Sequence, residues 1–216
     1  MSQLDATSAG VARDAEAKEE DPLVQISEKQ LHVIEAATPL FIQHGFHETN
    51  VRMIADAANM PMGSLYQYIQ SKEHLLYLAA MHVLQQVNPV IMRHPDATRP
   101  IRGQIAELLA DYIRLLDRNR RVFKMVYRET ASLGVDTQPR LLAAESRLIE
   151  VWVEHVDAGI QSGEISPCNG KVLSLNLQMF AHSWSIKGWW LKRYVDLDTY
   201  LDEQVINALR MIPFTK

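Results

Sequence analysis

From Ile26 onward, apolar residues recur along the chain at the spacing of an α-helix, and no segment alternates as a β-strand would. One example near the C-terminus consists of Leu201, Val205, Leu209 and Ile212. Side chains three to four positions apart share one face of a helix but fall on both faces of a strand. The pattern therefore predicts an all-α fold.

Prolines, glycines and polar turns divide this region into segments of helical length. Ser27 and Gln30 form a capping box for the first helix, and Gly45 ends it as a left-handed residue. Pro39 predicts either a bend in this helix or a weakened helix. The Thr49/Asn50 pair would cap the second helix, and Ser71 caps the fourth. The other predicted helices span 50–58, 61–69, 100–117, 119–133, 138–162, 169–194 and 198–212.

The composition is that of a globular protein. Of 216 residues, 47% are apolar and 22% are charged, and no apolar run reaches the ~20 residues that cross a bilayer. The N-terminus is acidic and has no apolar signal-peptide region. The single cysteine, Cys168, excludes an intrachain disulfide framework and a cysteine-based zinc site. We therefore expect a cytoplasmic protein without a cofactor or a metal.

Charge divides the chain unequally. Residues 1–25 hold six acids and two bases and have little periodicity, which predicts a mobile acidic tail. The rest is balanced, with 20 acids and 20 bases, so its overall charge indicates no particular partner. We place the domain boundary at residue 75, which gives an N-terminal domain of residues 26–75 and a C-terminal helical domain of residues 76–216.

The first domain contains two short helices in close succession, at 50–58 and 61–69, with only Asn59 and Met60 between them. Two short helices joined by a tight turn and packed on a longer helix form a helix-turn-helix, whose second helix enters the DNA major groove.

Several motifs in this region together resemble the DNA-binding domain of the TetR/AcrR family of bacterial regulators. They are Leu40-Phe41 before Gly45-Phe46, Val51-Arg52-Met53-Ile54-Ala55, Gly63-Ser64-Leu65-Tyr66 and Ser71-Lys72-Glu73. Three positions depart from the family pattern: Asn59 stands where glycine is usual, Pro61 where serine is usual, and Ile69 where an aromatic is usual. Asparagine tolerates a left-handed turn and proline suits the start of a helix, so the motif is preserved.

The resemblance implies a dimer that binds a palindromic operator on double-stranded DNA. Candidate base-reading residues are Arg52, Met62, Gly63 and Gln67. Candidate phosphate contacts are Thr49, Asn50, Ser64, Tyr66, Tyr68 and Lys72. Tyr68 is equally compatible with a packing role. Residues 26–75 carry three bases against five acids, so we expect affinity for DNA to fall steeply with salt.

In this family the C-terminal helices bind a small-molecule inducer and form the dimer. A stripe of small residues, Ala181, Ser185 and Gly188, would let a partner helix approach closely, although it could equally pack within one subunit. With the last helix, the predicted interface consists of Ala181, Ser185, Gly188, Leu201, Val205 and Leu209. Candidate pocket residues are Tyr112, Met125, Trp152, His155, His182 and Trp184, each of which could instead be an ordinary core residue.

A basic cluster lies between Arg114 and Arg128, with six bases and one acid. It is either a solvated helix face or a binding site for an anionic ligand. Guanidinium groups beside an aromatic pocket would suit an acyl- or aroyl-CoA, with its phosphates on Arg121, Lys124 and Arg128. We therefore expect a repressor released by such a thioester, as in family members that control fatty-acid or aromatic catabolism.

Other functional classes fit the sequence less well. The catalytic motifs of hydrolases, P-loop proteins and zinc proteases are missing from the sequence, and Cys168 lies in a turn without a motif around it, so we expect no enzyme. A helical adaptor remains an alternative to DNA binding. For the ligand, a hydrophobic compound without CoA, as sensed by efflux-type regulators, remains an alternative.

Overall fold

The computed structural model describes residues 25–215 and confirms the all-α prediction. The helices are α1 (Glu28–His44), α2 (Val51–Ala57), α3 (Met62–Leu65), α4 (Lys72–Ile91), α5 (Ile101–Arg118), α6 (Arg120–Glu129), α7 (Thr137–Ser162), α8 (Gly170–Leu191) and α9 (Leu197–Met211). A 3-10 helix, Thr130–Ser132, follows α6. Within the described range, the β-structure is limited to one isolated bridge between Ile165 and Phe214. The predicted acidic tail, apart from residue 25, lies outside this range.

The ends of α1 follow the sequence signals closely. The Ser27 hydroxyl accepts the backbone N–H of Gln30, and the Gln30 side chain accepts the N–H of Ser27, so the capping box is present. The helix continues unbroken through Pro39, on an exposed face where water can reach the carbonyl that loses its partner. Gly45 ends the helix with φ +90° and ψ 156°, a glycine conformation outside the predicted left-handed helical region.

The helices enclose two hydrophobic cores, and α4 contributes to both. Its first half, from Leu75 to Met81, packs with α1, α2 and α3. Its second half supplies Val83, Val87 and Ile91 to a larger core with α5, α7, α8 and α9. The smaller core also receives Met125 of α6 and residues of α7. The two cores therefore meet within α4, beyond the boundary predicted at residue 75.

The C-terminal helices form a layered bundle. Helix α8 packs between α5 and α7, α4 packs on α7, and α9 covers α5. Helix α6 lies between this bundle and α1, so it contacts both domains. Within residues 25–215, no helix is both long and apolar enough to cross a membrane.

Candidate DNA-binding surface and effector pocket

The turn between α2 and α3 has the geometry that its sequence predicts. Asn59 adopts φ +50°, and it is the single non-glycine residue with positive φ in the described part of the chain. The N–H of Met60 donates to the carbonyl of Ala55 at 2.9 Å, which closes the turn. Pro61 caps α3, and the helix begins at Met62. Helix α3 is four residues long, shorter than the predicted 61–69, because single turns replace it after Leu65.

Helix α3 and the turns after it separate into a buried side and an exposed side. Leu65 and Ile69 are buried in the smaller core. The exposed side, together with one residue of α2, forms what we call the recognition surface: Arg52, Met62, Gly63, Ser64, Tyr66 and Gln67. All of these are exposed except Ser64, which is half-buried. Every candidate base-reading residue is therefore exposed to solvent, and their contact with DNA remains a prediction.

Thr49 does not belong to this surface, so its predicted phosphate contact is wrong. The residue is completely buried, and its hydroxyl donates to the carbonyl of Gly45 at 2.7 Å. Its neighbour Asn50 is exposed and accepts the N–H of Met53 at 3.0 Å, which caps α2 as expected. The two adjacent polar residues thus have separate roles, because only the first turns towards the α1 end.

Two other residues that were predicted to contact phosphate, Lys72 and Tyr68, make contacts within the protein itself. The Lys72 ammonium donates to the carbonyls of Phe46 and His47, at 2.8 and 3.2 Å, and lies 4.5 Å from the Phe46 ring centre. One of its three protons remains for a phosphate. Tyr68 is half-buried against the smaller core, which favours its packing role.

An apolar cavity lies between α4, α5, α6 and α7. The space within it is about 590 Å³, a figure that includes the part open to solvent. Tyr112 and Leu148 are buried at its inner side, and Tyr127 is half-exposed at its mouth. The other lining residues are Ala80, Val83, Leu84, Val87, Leu116, Phe123, Val126, Thr130, Leu141 and Glu145.

Of the aromatic, histidine and methionine residues predicted for the pocket, Tyr112 lines it. His182 lies directly behind this wall: its Nε2 is 3.0 Å from the Tyr112 hydroxyl, and its ring centre is 4.9 Å from that of Phe123. Burial lowers the pKa of His182 to about 4, so the ring is neutral. Trp152 is also behind the wall, with its ring centre 6.2 Å from that of Tyr112.

The other three predictions of pocket residues are wrong. Met125 points into the smaller core, because α6 turns its opposite face to the cavity. The Nδ1 of His155 is bonded to the carbonyl of Val151 within α7. The Nε1 of Trp184 donates to Asp117 at 2.8 Å, at the junction of α5 and α8 and away from the cavity. Helices that are apolar on several sides gave no signal for which side faces the pocket.

The predicted basic residues of α6 lie outside the cavity. Arg121, Lys124 and Arg128 recur along one exposed side of α6, while Phe123 and Tyr127 of the same helix line the pocket. Arg128 is paired with Glu129 at 2.6 Å. The cluster is thus divided between an exposed helix face next to the pocket and ion pairs within the chain.

The stripe of small residues on α8 packs within the subunit, so its predicted place in a dimer interface is wrong. Ala181, Ser185 and Gly188 are buried, and the Ser185 hydroxyl donates to the carbonyl of Leu116 in α5. Leu201 is buried in the larger core, and Val205 and Leu209 are partly buried against it. The opposite side of α8 is exposed and apolar instead, through Val172, Leu175, Met179 and Trp190. Trp189, near the C-terminal end of α8, and Ile206 of α9 are also exposed.

An exposed helix-turn-helix joined to a second helical domain is the arrangement of a DNA-binding transcription regulator. Two family profiles match this chain: "Bacterial regulatory proteins, tetR family" over residues 33–78, and "Tetracyclin repressor-like, C-terminal domain" over residues 98–189. The chain belongs to the TetR family.

The relatives agree with this assignment. The HTH-type transcriptional regulator HbdR of Aromatoleum sp. (strain CIB) is 28% identical over 182 residues, which cover 84% of this chain and 79% of that protein. A tetR-family regulatory protein from Rhodococcus RHA1 has the same fold, with a TM-score of 0.78, 21% identity, and coverage of 88% of this chain and 100% of that one. AibR in complex with isovaleryl coenzyme A and operator DNA aligns with a TM-score of 0.71 and 21% identity, over 87% and 100% of the two chains.

Proposed function

We propose that the protein is a homodimeric repressor that binds a palindromic operator and releases it when an acyl- or aroyl-CoA occupies the C-terminal pocket. The observation that carries this proposal is the recognition surface. Met62 of α3 and Tyr66 and Gln67 of the turns after it are left exposed in the segment that the motif assigns to the major groove, while Leu65 of α3 is buried.

The recognition surface has the chemistry to read and grip DNA. Arg52 can donate two hydrogen bonds to guanine, Gln67 can bind adenine through two, and Met62 can contact a thymine methyl. The hydroxyls of Ser64 and Tyr66 can bind phosphates and set the register. We also retain four further predicted contacts. Asn50, Tyr68 and the remaining proton of Lys72 are candidates for phosphate contact, and Gly63 is a candidate for base contact.

The exposed apolar side of α8 supports dimerisation. Leu175, Met179 and Trp190 recur along this side at helical spacing, and Ile206 of α9 is exposed as well. An apolar face of this kind is typical of a protein interface. A two-fold pair of subunits would present two recognition helices to half-sites one helical turn apart, which is the symmetry of a palindrome.

The two faces of α6 support a thioester as the effector. Phe123 and Tyr127 offer an apolar wall to an acyl group, and Arg121 and Lys124 offer cations to the phosphates of CoA on the adjacent exposed face. That the related fold of AibR was seen with isovaleryl coenzyme A adds support. Because α6 also packs on α1, occupancy of the pocket can bias the spacing of the two recognition helices. To change the ratio of released to DNA-binding protein from 1:99 to 99:1, the effector must bind the released state more tightly by about 5.5 kcal/mol.

The test is a nuclease footprint on the DNA that flanks the protein's own gene, at several salt concentrations, with and without hexanoyl-CoA and benzoyl-CoA. We expect a protected palindrome that one of these thioesters abolishes. The double variant Arg121→Ala/Lys124→Ala should keep the footprint and lose the response. The matched control is Arg114→Ala, in the same cluster but paired with Asp111, which should retain the response.

The outcomes separate the parts of the proposal. A footprint that neither thioester disturbs would remove the CoA effector and leave the repressor. No footprint at low salt would reject DNA binding and favour the helical adaptor. Protection of a single site without two-fold symmetry would contradict the homodimer.

A further inference from the structure

The effector pocket contains a carboxyl group that its surroundings do not explain. Glu145 of α7 is, among the described residues that line the cavity, the one with a charge. No hydrogen bond or ion pair joins it to any other described residue. Burial raises its pKa. The side chain is half-buried and its carboxylate remains accessible from the cavity, and a carboxyl with a shifted pKa in a cleft is a candidate ligand-binding group.

A second polar group, the Tyr112 hydroxyl, belongs to a residue that lines the same cavity as Glu145. Burial raises the pKa of Tyr112, and the nearby charge of Glu145 adds to the rise, whereas the amide of Gln178 opposes it. The Tyr112 hydroxyl is held in place by Nε2 of His182, at 3.0 Å. Its oxygen therefore keeps a fixed position from which it can accept a further hydrogen bond.

The region behind Tyr112 has more hydrogen-bonding capacity than the protein uses. Four buried polar atoms lack a partner among the described residues: Nε1 of Trp152, the Ser174 hydroxyl, Oε1 of Gln178 and Nδ1 of His182. Ser174, Gln178 and His182 are successive turns of α8 on its buried side. The polar atoms behind the Tyr112 wall therefore outnumber the partners that the described residues supply to them.

The charges around the pocket limit what can bind to Glu145. A ligand carboxylate would be repelled by Glu145 and would find no cation, because His182 is neutral and the α6 bases point outward. An organic cation would suit Glu145 and the aromatic rings of Phe123 and Tyr127, but it would have to pass the basic face of α6. A neutral hydrogen-bond donor is repelled neither by Glu145 nor by the basic face of α6, and Glu145 can accept a hydrogen bond from it.

We propose that the effector carries a hydroxyl group, remote from its thioester, that donates to Glu145 and lies against the Tyr112 hydroxyl. The ligand class is therefore a hydroxylated acyl- or aroyl-thioester, in preference to the plain thioester and to the free acid. This inference rests on the proposed function for the thioester. The hydroxyl must be remote from the thioester because the basic face that would hold the CoA phosphates flanks the mouth of the pocket at Tyr127, whereas Tyr112 lies at the inner side.

The experiment is isothermal titration calorimetry on the DNA-free protein with two matched pairs of probes. They are hexanoyl-CoA with 6-hydroxyhexanoyl-CoA, and benzoyl-CoA with 4-hydroxybenzoyl-CoA. A hydrogen bond to a charged group adds about 10- to 100-fold in affinity, and we expect this advantage for the hydroxylated member of at least one pair. Hexanoate and benzoate should bind at least tenfold more weakly than the thioesters.

Three variants test the role of Glu145. Glu145→Leu removes the acceptor, so the ratio of affinities within each pair, which is the quantity compared, should fall below about threefold. Glu145→Gln keeps an acceptor oxygen and should retain part of the advantage. The matched control is Glu150→Leu, an exposed position on the same helix, which should change nothing. Thermal melts should show Glu145→Leu folded and no less stable than the wild type.

A second set of probes separates this inference from the CoA proposal. The N-acetylcysteamine thioesters of the same four acyl groups lack the CoA phosphates and report on the pocket alone. If they show the hydroxyl preference while the CoA forms do not bind, the inference stands and the CoA effector is rejected. Equal affinity within both pairs, a preference that persists in Glu145→Leu, no binding of any thioester, or Glu145-dependent binding of tetraphenylphosphonium instead would each overturn it.

Discussion

The Nε2 atom of His47 lies 3.3 Å from the buried carboxylate of Glu129, and this contact joins the helix-turn-helix domain to the helix that lines the effector pocket. Glu129 also accepts from Arg128 at 2.6 Å and from the Ser132 hydroxyl at 3.3 Å. His47 lies in the loop between α1 and α2, where Lys72 donates to its carbonyl. We expect a displacement of α6 to reach the α1–α2 loop through this contact.

This contact predicts that Glu129→Gln weakens the effector response more than it weakens DNA binding. Because His47 is exposed, the pair itself contributes little to stability, about 1 kcal/mol or less. We expect operator affinity without effector to stay within about threefold, and the effector-induced loss of affinity to shrink by about 0.5–2 kcal/mol. Fluorescence anisotropy on operator DNA measures both, and Glu150→Gln is the control. An unchanged response would show that coupling takes another route.

On the recognition surface, Gln67→Ala should change which sequence is bound. Losing a bidentate hydrogen-bonded contact to a base lowers the binding free energy by about 1–3 kcal/mol and relaxes specificity at one base pair in each half-site. Tyr66→Phe should instead weaken binding to all sequences alike, since it removes a phosphate contact. Competition binding against single-base operator variants distinguishes the two. The control, Gln161→Ala, lies at the exposed end of α7. Uniform weakening by Gln67→Ala would contradict its base-reading role.

The two sides of α8 should respond oppositely to substitution. Ala181→Leu inserts a large side chain where Ala181 is completely buried, so it should destabilise each subunit by about 1–3 kcal/mol. Trp190→Asp places a charge on the exposed apolar side, so it should leave the fold intact and separate the dimer. Denaturant unfolding and analytical ultracentrifugation report the two effects. A stable dimer of Trp190→Asp would place the interface elsewhere.

Stability should fall in acid partly because of His182. Its pKa is lowered by burial to about 4 in the folded protein, against an ordinary 6.5, so only the unfolded chain binds its proton between these values. The folded state therefore loses stability as pH falls from 6.5 towards 4, by on the order of 3 kcal/mol. His182→Gln should flatten this slope.

The measurement is urea unfolding at a series of pH values. Burial also lowers the pKa of His74 and of His155, but these groups are common to both proteins and cancel in the difference. The exposed His44→Gln is the control and should keep the wild-type slope. Parallel pH profiles of the wild type and His182→Gln would disprove a buried neutral His182.

The turn before α3 gives a stability prediction for the DNA-binding domain. Asn59→Gly should be tolerated, whereas Asn59→Val should destabilise the protein by about 1–2 kcal/mol, because a β-branched residue resists φ +50°. Ala57→Val, at an exposed helical position beside it, controls for β-branching alone. Thermal unfolding would detect the difference, and equal melting temperatures for the two valine variants would refute the argument.

The sequence predicted the helices well because periodicity and caps are local signals. Ser27, Asn50 and Ser71 each cap the helix that was expected of them, and Asn59 makes the expected turn. Helix α3 was predicted too long, since the apolar spacing of Leu65 and Ile69 also fits two single turns.

The placement of functional side chains was less predictable. Thr49 has a suitable hydroxyl, but its direction depends on carbonyls of the preceding helix end. The small residues of α8 permit close approach by any helix, and the one that approaches is α5 of the same subunit. Glu145 was missed because a glutamate amid helical polar residues resembles a solvent-facing one. Only the packing of α4, α5 and α6 around it distinguishes it.

The shared helix α4 sets a geometric rule for recombining the two halves of the protein. Its side chains from Leu75 to Met81 and from Val83 to Ile91 belong to different cores, so one continuous helix sets the rotation and distance between the two cores. One residue inserted between them would turn one core against the other by about 100° and shift it by about 1.5 Å. A chimera that exchanges effector domains with a relative must therefore be joined inside α4 with the residue count preserved.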